Sequence, residues 1–209
     1  MLRPHPSGAG YDALADNTSG EANTALGESA LFSNTTGSDN TAQGLEALDS
    51  NTSGNFNTAS GLGALQYNTT GDNNTASGIF ALQNNTSGGN NNAVGLYAMG
   101  DNNTGSGNTA VGVNALGTNH GGSNNVAVGS SAGYNVRGGN YNIEIGNVGT
   151  ANDVGTIRNA IAAIGPVSVS ASASRKPSAG GQGRTPHAQD ASAGLPQCGL
   201  HDRAHDRLP

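Results

Sequence analysis

Residues 68–84 read N-T-T-G-D-N-N-T-A-S-G-I-F-A-L-Q-N, and residue 85 begins the same phrase again. Its general form, N-T-[ST]-G-x-x-N-T-A-x-G-x-x-A-L-x-x, occurs eight times in succession. One glycine series runs through Gly20, Gly37, Gly54, Gly71, Gly88, Gly105, Gly122 and Gly139. A second runs through Gly27, Gly44, Gly61, Gly78, Gly95, Gly112, Gly129 and Gly146, and both step by 17 without a slip. A fixed period this short marks a stacked-repeat architecture, in which a unit too small to bury its own apolar face buries it against the next.

The residues inside the phrase select the kind of stack. Seventeen residues are too few for a helical hairpin, and Gly, Asn, Ser and Thr are poor in helix interiors. The Asn-Gly and Asp-Gly pairs that favour two-residue hairpin turns are absent from the sequence. A parallel coil remains: an all-β chain, a parallel β-roll or β-solenoid of eight 17-residue coils. Stacked at about 4.8 Å, eight coils would extend roughly 38 Å.

The strand is read as N-x-A-x-G. In N-I-E-I-G, Ile143 and Ile145 share one face by two-residue alternation, which predicts them inward, with Glu144 outward. Earlier coils carry Thr24, Thr41, Thr58 and Thr75 at the first of these positions, and Leu26, Gln43, Ser60 and Ser77 at the second. There the parity stays open between a buried Thr face and a buried Ala face. A second strand is expected on the column Leu14, Leu31, Leu48, Leu65, Leu82, Met99 and Leu116, beside Ala13, Ala30, Ala47, Ala64, Ala81, Ala98 and Ala115. Asn columns such as Asn17, Asn34, Asn51, Asn68, Asn85 and Asn23, Asn40, Asn57, Asn74 are placed at turns, where each Asn can bond to its copy above.

Aromatic residues make up 4% and charged residues 11% of the chain, too few for an aromatic core or a charge-patterned globular surface. Within residues 17–150 Arg137 is the sole basic residue, against acids such as Glu21, Glu28, Asp39, Glu46, Asp49, Asp72, Asp101 and Glu144. Such a surface has nothing with which to neutralise phosphates, so nucleic acid is excluded as a partner. One cysteine, Cys198, permits no internal disulfide. All seven prolines avoid the array: Pro4 and Pro6 precede it, and Pro166, Pro177, Pro186, Pro196 and Pro209 follow it. The expected organisation is a structureless segment over 1–10, a repeat domain over 11–164, and a low-complexity, disordered tail over 165–209. No apolar run in Met1–Gly10, no heptads and no long apolar stretch predict a chain without a signal peptide, stalk or membrane span. After Arg158 the sequence turns abruptly into Ala, Ser, Arg, Pro and His, the expected signature of a tail read out of frame.

Chemistry-bearing residues are sparse. His201 and His205 stand four apart, yet two ligands in a low-complexity tail do not make a metal site. N-T-S and N-T-T at Asn17, Asn34, Asn51, Asn68 and Asn85 match the glycosylation sequon, but in a repeat they read as turn residues. Calcium β-roll repeats need a nine-residue period with paired Asp, which is missing. His120 replaces a Thr in a variant turn and is expected to be exposed and without a role. No Ser, His and Asp constellation recurs, so the reading is of a non-enzyme with no cofactor and no metal.

The runs N-T-A-x-G-x-x-A-L and V-A-V-G-x-x-A-G-Y, closing with N-Y-N-I-E-I-G-N, resemble the head repeats of YadA-like trimeric autotransporter adhesins and of related bacterial and phage fibre proteins. The resemblance covers residues 11–158. It implies a left-handed roll, a homotrimer, and display at a cell surface or outer membrane for binding host matrix or other surfaces. The family's heads commonly use a shorter unit. Two functions are expected from different classes: an adhesive head or fibre segment, or an ice- or crystal-binding solenoid if the Thr column faces outward. For the trimer, a flank of Ala packed against another chain would supply the apolar area that thin coils lack.

Overall fold

A computed structural model of the chain describes residues 7–151 and 153–159. Each coil contributes one strand of three residues: β1 (Ser7–Ala9), β2 (Thr24–Leu26), β3 (Thr41–Gln43), β4 (Thr58–Ser60), β5 (Thr75–Ser77), β6 (Asn92–Val94), β7 (Thr109–Val111), β8 (Val126–Val128), β9 (Ile143–Ile145) and β10 (Ile157–Asn159). They form one parallel sheet in chain order, a β-solenoid. Thr24 pairs with Thr41 and Ala25 with Ala42, and this offset of 17 persists up to β9. The final coil is shorter, since Ile143 pairs with Ile157. The array starts at Ser7, inside the segment expected to lack structure. The expectations placed on Cys198, His201, His205 and the sequence after Asn159 lie outside the described residues.

The structure corrects the strand parity. The middle residue points inward: Ala25, Ala42, Ala59, Ala76, Ala93, Ala110 and Ala127 are buried, and so is Glu144, whereas Ile145 is 44% exposed. The Thr column is turned outward. Val126 and Ile143, half-buried, lie on that same outer side of the sheet. Alternation alone identifies two faces but not which is inside. In the coils of β2 to β8 the space under the strand is filled by a methyl, and the larger residues lie on the outer side.

The Leu column is buried as expected but carries no second strand. Leu31, Leu48, Leu65, Leu82, Met99 and Leu116 are fully buried, in turns, with φ between 49° and 54°. This left-handed conformation costs an L-residue about 1–3 kcal/mol. Burying the whole side chain returns about 1.5–3 kcal/mol. The turn is thus the means by which the one large apolar side chain of each coil is swung into the core. Each Leu amide also bonds to the next coil, as Leu31 N–H does to the Ala47 carbonyl at 3.0 Å. Alanines of both columns from Ala25 to Ala132 are sealed inside their own chain, which corrects the idea of an Ala flank facing another chain.

Two asparagine ladders close the corners. Asn68 Nδ2 donates to Asn51 Oδ1 at 2.8 Å and to the Gly71 carbonyl at 3.0 Å, and Asn85 Nδ2 repeats the pattern onto Asn68 at 2.7 Å. In the second ladder the Asn74 amide and Nδ2 both donate to Asn57 Oδ1, at 2.9 and 3.1 Å. These asparagines are buried, so the sequon nitrogens of Asn34, Asn51, Asn68 and Asn85 are inaccessible in the folded coil. The glycine columns reflect the tight stacking. A Cβ on Gly71 would lie 2.4 Å from the Gly88 carbonyl oxygen, and one on Gly78, whose φ is 139°, 2.6 Å from that of Gly95.

Candidate functional site

Every repeat position singled out in the sequence, both glycine series and the Leu31 to Leu116 column, serves the backbone or the core. What the solenoid offers to a partner is made of the residues between them. The outer side of the sheet is one such surface. Its first column runs Thr24, Thr41, Thr58, Thr75, Asn92, Thr109, Val126, Ile143, and its second runs Leu26, Gln43, Ser60, Ser77, Val94, Val111, Val128, Ile145. The face is therefore hydroxyl-rich over its first half and aliphatic over its last. Just past the strand a further column, Leu45, Leu62, Ile79, Leu96 and Val113, stays about 40–46% exposed at Leu45, Ile79, Leu96 and Val113. Phe80 stacks on Tyr97 beside it, with ring centroids 5.1 Å apart. A row of large apolar side chains left in water along adjacent coils is the unusual feature of this surface.

The last two coils hold a cluster of charged side chains. Glu144 stands where other coils have Ala and is fully buried, and neither carboxylate oxygen has a hydrogen-bond donor. Arg158, paired in register above it, brings Nε to 3.7 Å from Glu144 Oε1. The guanidinium is instead committed to Asp153, through Nε at 2.8 Å and a second nitrogen at 2.6 Å. Thr150 donates to the same carboxylate from its amide and hydroxyl, at 2.8 and 2.6 Å. Burial, then repulsion from Asp153, pushes Glu144 up to about 7, with Arg158 opposing. The Arg158 hydrogen bond, chief among several, holds Asp153 well below the usual carboxylate range. Sequence reading placed Glu144 outward and so missed this cluster; the signal was a charged residue following seven successive alanines, Ala25 to Ala127, at the same repeat position.

His120 is exposed, as expected. Among the described residues no group of three His, Cys, Asp or Glu converges to hold a metal, and no helix is long and apolar enough to cross a membrane. No protein-family model, no curated protein and no solved structure matches the chain.

Proposed function

We propose that this solenoid is a non-enzymatic structural and adhesive module, the head or fibre segment of a homotrimer displayed at a cell surface, as its resemblance to YadA-like head repeats implies. The observation that carries the reading is the apolar ladder of exposed Leu45, Ile79, Leu96 and Val113 with half-buried Leu62 among them, next to exposed Val94, Val111 and Val128 on the outer sheet. Covering the exposed half of each such side chain is worth roughly 1 kcal/mol, so a set of them is enough to hold copies side by side. This replaces the Ala flank as the contact. The full chain should sediment as three copies, and Ile79→Asp with Leu96→Asp should give folded single chains. A wild-type protein that stays monomeric and folded at low micromolar concentration overturns the trimer.

A second reading is favoured by one specific observation, the outward Thr24, Thr41, Thr58 and Thr75. Hydroxyls repeated at the strand spacing along one sheet face are suited to a crystal lattice, ice included. The column is broken at Asn92 and lost at Val126, which ranks this reading below the first. Thermal hysteresis that disappears in a Thr41→Lys, Thr58→Lys double variant would reverse that order.

A further inference from the structure

The column Thr18, Thr35, Thr52, Thr69, Thr86 has a structural duty. Each hydroxyl donates to the backbone carbonyl of its counterpart one coil on, from Thr18 onto Thr35 at 2.7 Å to Thr86 onto Asn103 at 3.0 Å. There the ladder is given up: the next two positions are Asn103 and His120, and neither side chain takes the bond over. The neighbouring column varies as well, through Asp16, Ser33, Ser50, Tyr67, Asn84, Asp101 and Thr118, with Tyr67 and Asn84 in the two coils before the ladder ends. In a chain that copies itself so faithfully, two successive positions that give up the ladder bond mark a place where the fold is not the sole demand.

The two altered columns flank an open groove of about 450 Å³, lined by Tyr67, Asn84, Thr86, Asp101, Asn103 and His120. Two of its polar side chains are bonded to each other. Asn84 Nδ2 donates to Asp101 Oδ1 at 3.0 Å, and Asn85 and Asn102, between the two columns, are locked in the buried ladder. Tyr67 contributes a ring that is 45% exposed. Tyr67 and His120 lie three coils apart, a span of about 14 Å.

The lining defines the ligand. It contains no Lys or Arg, Arg137 following one coil beyond His120, and so has nothing of its own to neutralise a phosphate or sulfate; it has no aliphatic side chain, which removes lipids and apolar peptide segments; and it has a single carboxylate. It presents amide, carboxylate, hydroxyl and imidazole groups that both donate and accept, beside one aromatic face. We propose that this groove binds a neutral oligosaccharide, whose hydroxyls bond to Asn84, Asp101, Asn103 and His120 and whose apolar ring face lies on Tyr67. The inference rests on the surface-display reading for its biological setting and assigns His120 a role that its sequence context did not. None of the six residues belongs to the outer sheet face or to the Leu45 to Val113 ladder, so the groove is separate from the surface proposed for self-association.

The test is titration of isotope-labelled full chain with chitotriose, maltotriose and cellotriose, reading backbone amide shifts, with a heparin tetrasaccharide as the anionic control. At least one neutral trisaccharide should shift the amides of Asn84, Thr86, Asp101 and Asn103, with a Kd on the order of 1 mM. Tyr67→Ala should abolish the response and Asp101→Asn weaken it about tenfold, both with unchanged circular dichroism, while Tyr134→Ala leaves it intact. No shifts with any of the three, shifts that survive Tyr67→Ala, or a stronger response to heparin would each overturn the proposal. A monomer that binds the sugar would keep this inference and remove the trimer; a trimer that binds none would do the reverse.

Discussion

Replacing Gly78 by Val tests the stacking itself. Gly78 has φ 139°, a region essentially closed to L-residues, and its added Cβ would sit 2.6 Å from the Gly95 oxygen and 2.7 Å from the Gly95 carbonyl carbon. Relieving that contact means separating two coils by several tenths of an ångström where the Gly78 amide bonds to Ser60 and the Gly95 amide to Ser77, each at 2.8 Å. The dihedral costs about 1–3 kcal/mol, and two weakened backbone bonds about 0.5–1.5 kcal/mol each. The sum, about 2–6 kcal/mol, is a large part of the 5–15 kcal/mol typical of a domain. Because the damage falls between β5 and β6, it should also divide the ten-strand stack into two units that melt separately. The matched control is Gln83→Val, which forfeits one side-chain bond to Gln66 at 2.8 Å and should cost about 1 kcal/mol. Urea unfolding followed by circular dichroism reads both. Equal midpoints for the two variants would refute the idea that the glycine column is a backbone requirement.

Asn68→Ala should cost about 2–5 kcal/mol in the same assay, because it removes three hydrogen bonds from a buried row and takes from Asn51 Oδ1 its donor and from Asn85 Nδ2 one of its two acceptors. Stability should fall as pH rises from about 4.5 to about 7: the folded value of Glu144 lies above its ordinary 4.5, so the folded state binds the extra proton in that window and loses the benefit on deprotonation. Glu144→Gln should flatten the slope, and an unchanged slope would place the titrating group elsewhere. Asp153 acts in the opposite sense: its depressed folded value contributes stability that is present above its ordinary 3.8 and lost on acidification below it. Asp153→Asn should remove that acid-side loss, measured as the midpoint difference between acidic and neutral pH.

The period, the parallel sheet and the buried Leu column were legible because they depend on translation: whatever one coil does, the next repeats. Parity and turn geometry were not. Two-residue alternation at Ile143 and Ile145 is the same whether those residues face in or out, and the deciding quantity is the width of the coil, which only closure of the turns reveals. The left-handed Leu residues carry no local signature, since their conformation is imposed by the need to bury the side chain at a corner. The groove was hidden for a related reason. Tyr67, Asn84 and Asp101 lie 17 residues apart, and His120 read alone is an ordinary turn substitution.

The equality of the coils has a consequence for how such a chain changes over generations. Nearly every backbone bond between neighbours joins residues 17 apart or closely so, so duplicating or deleting the codons of one coil preserves the backbone bonding across each remaining interface. Length is then a nearly neutral trait, adjustable in steps of about 4.8 Å, while a coil that has drifted, like those bearing Tyr67 and His120, is carried along intact as a cassette.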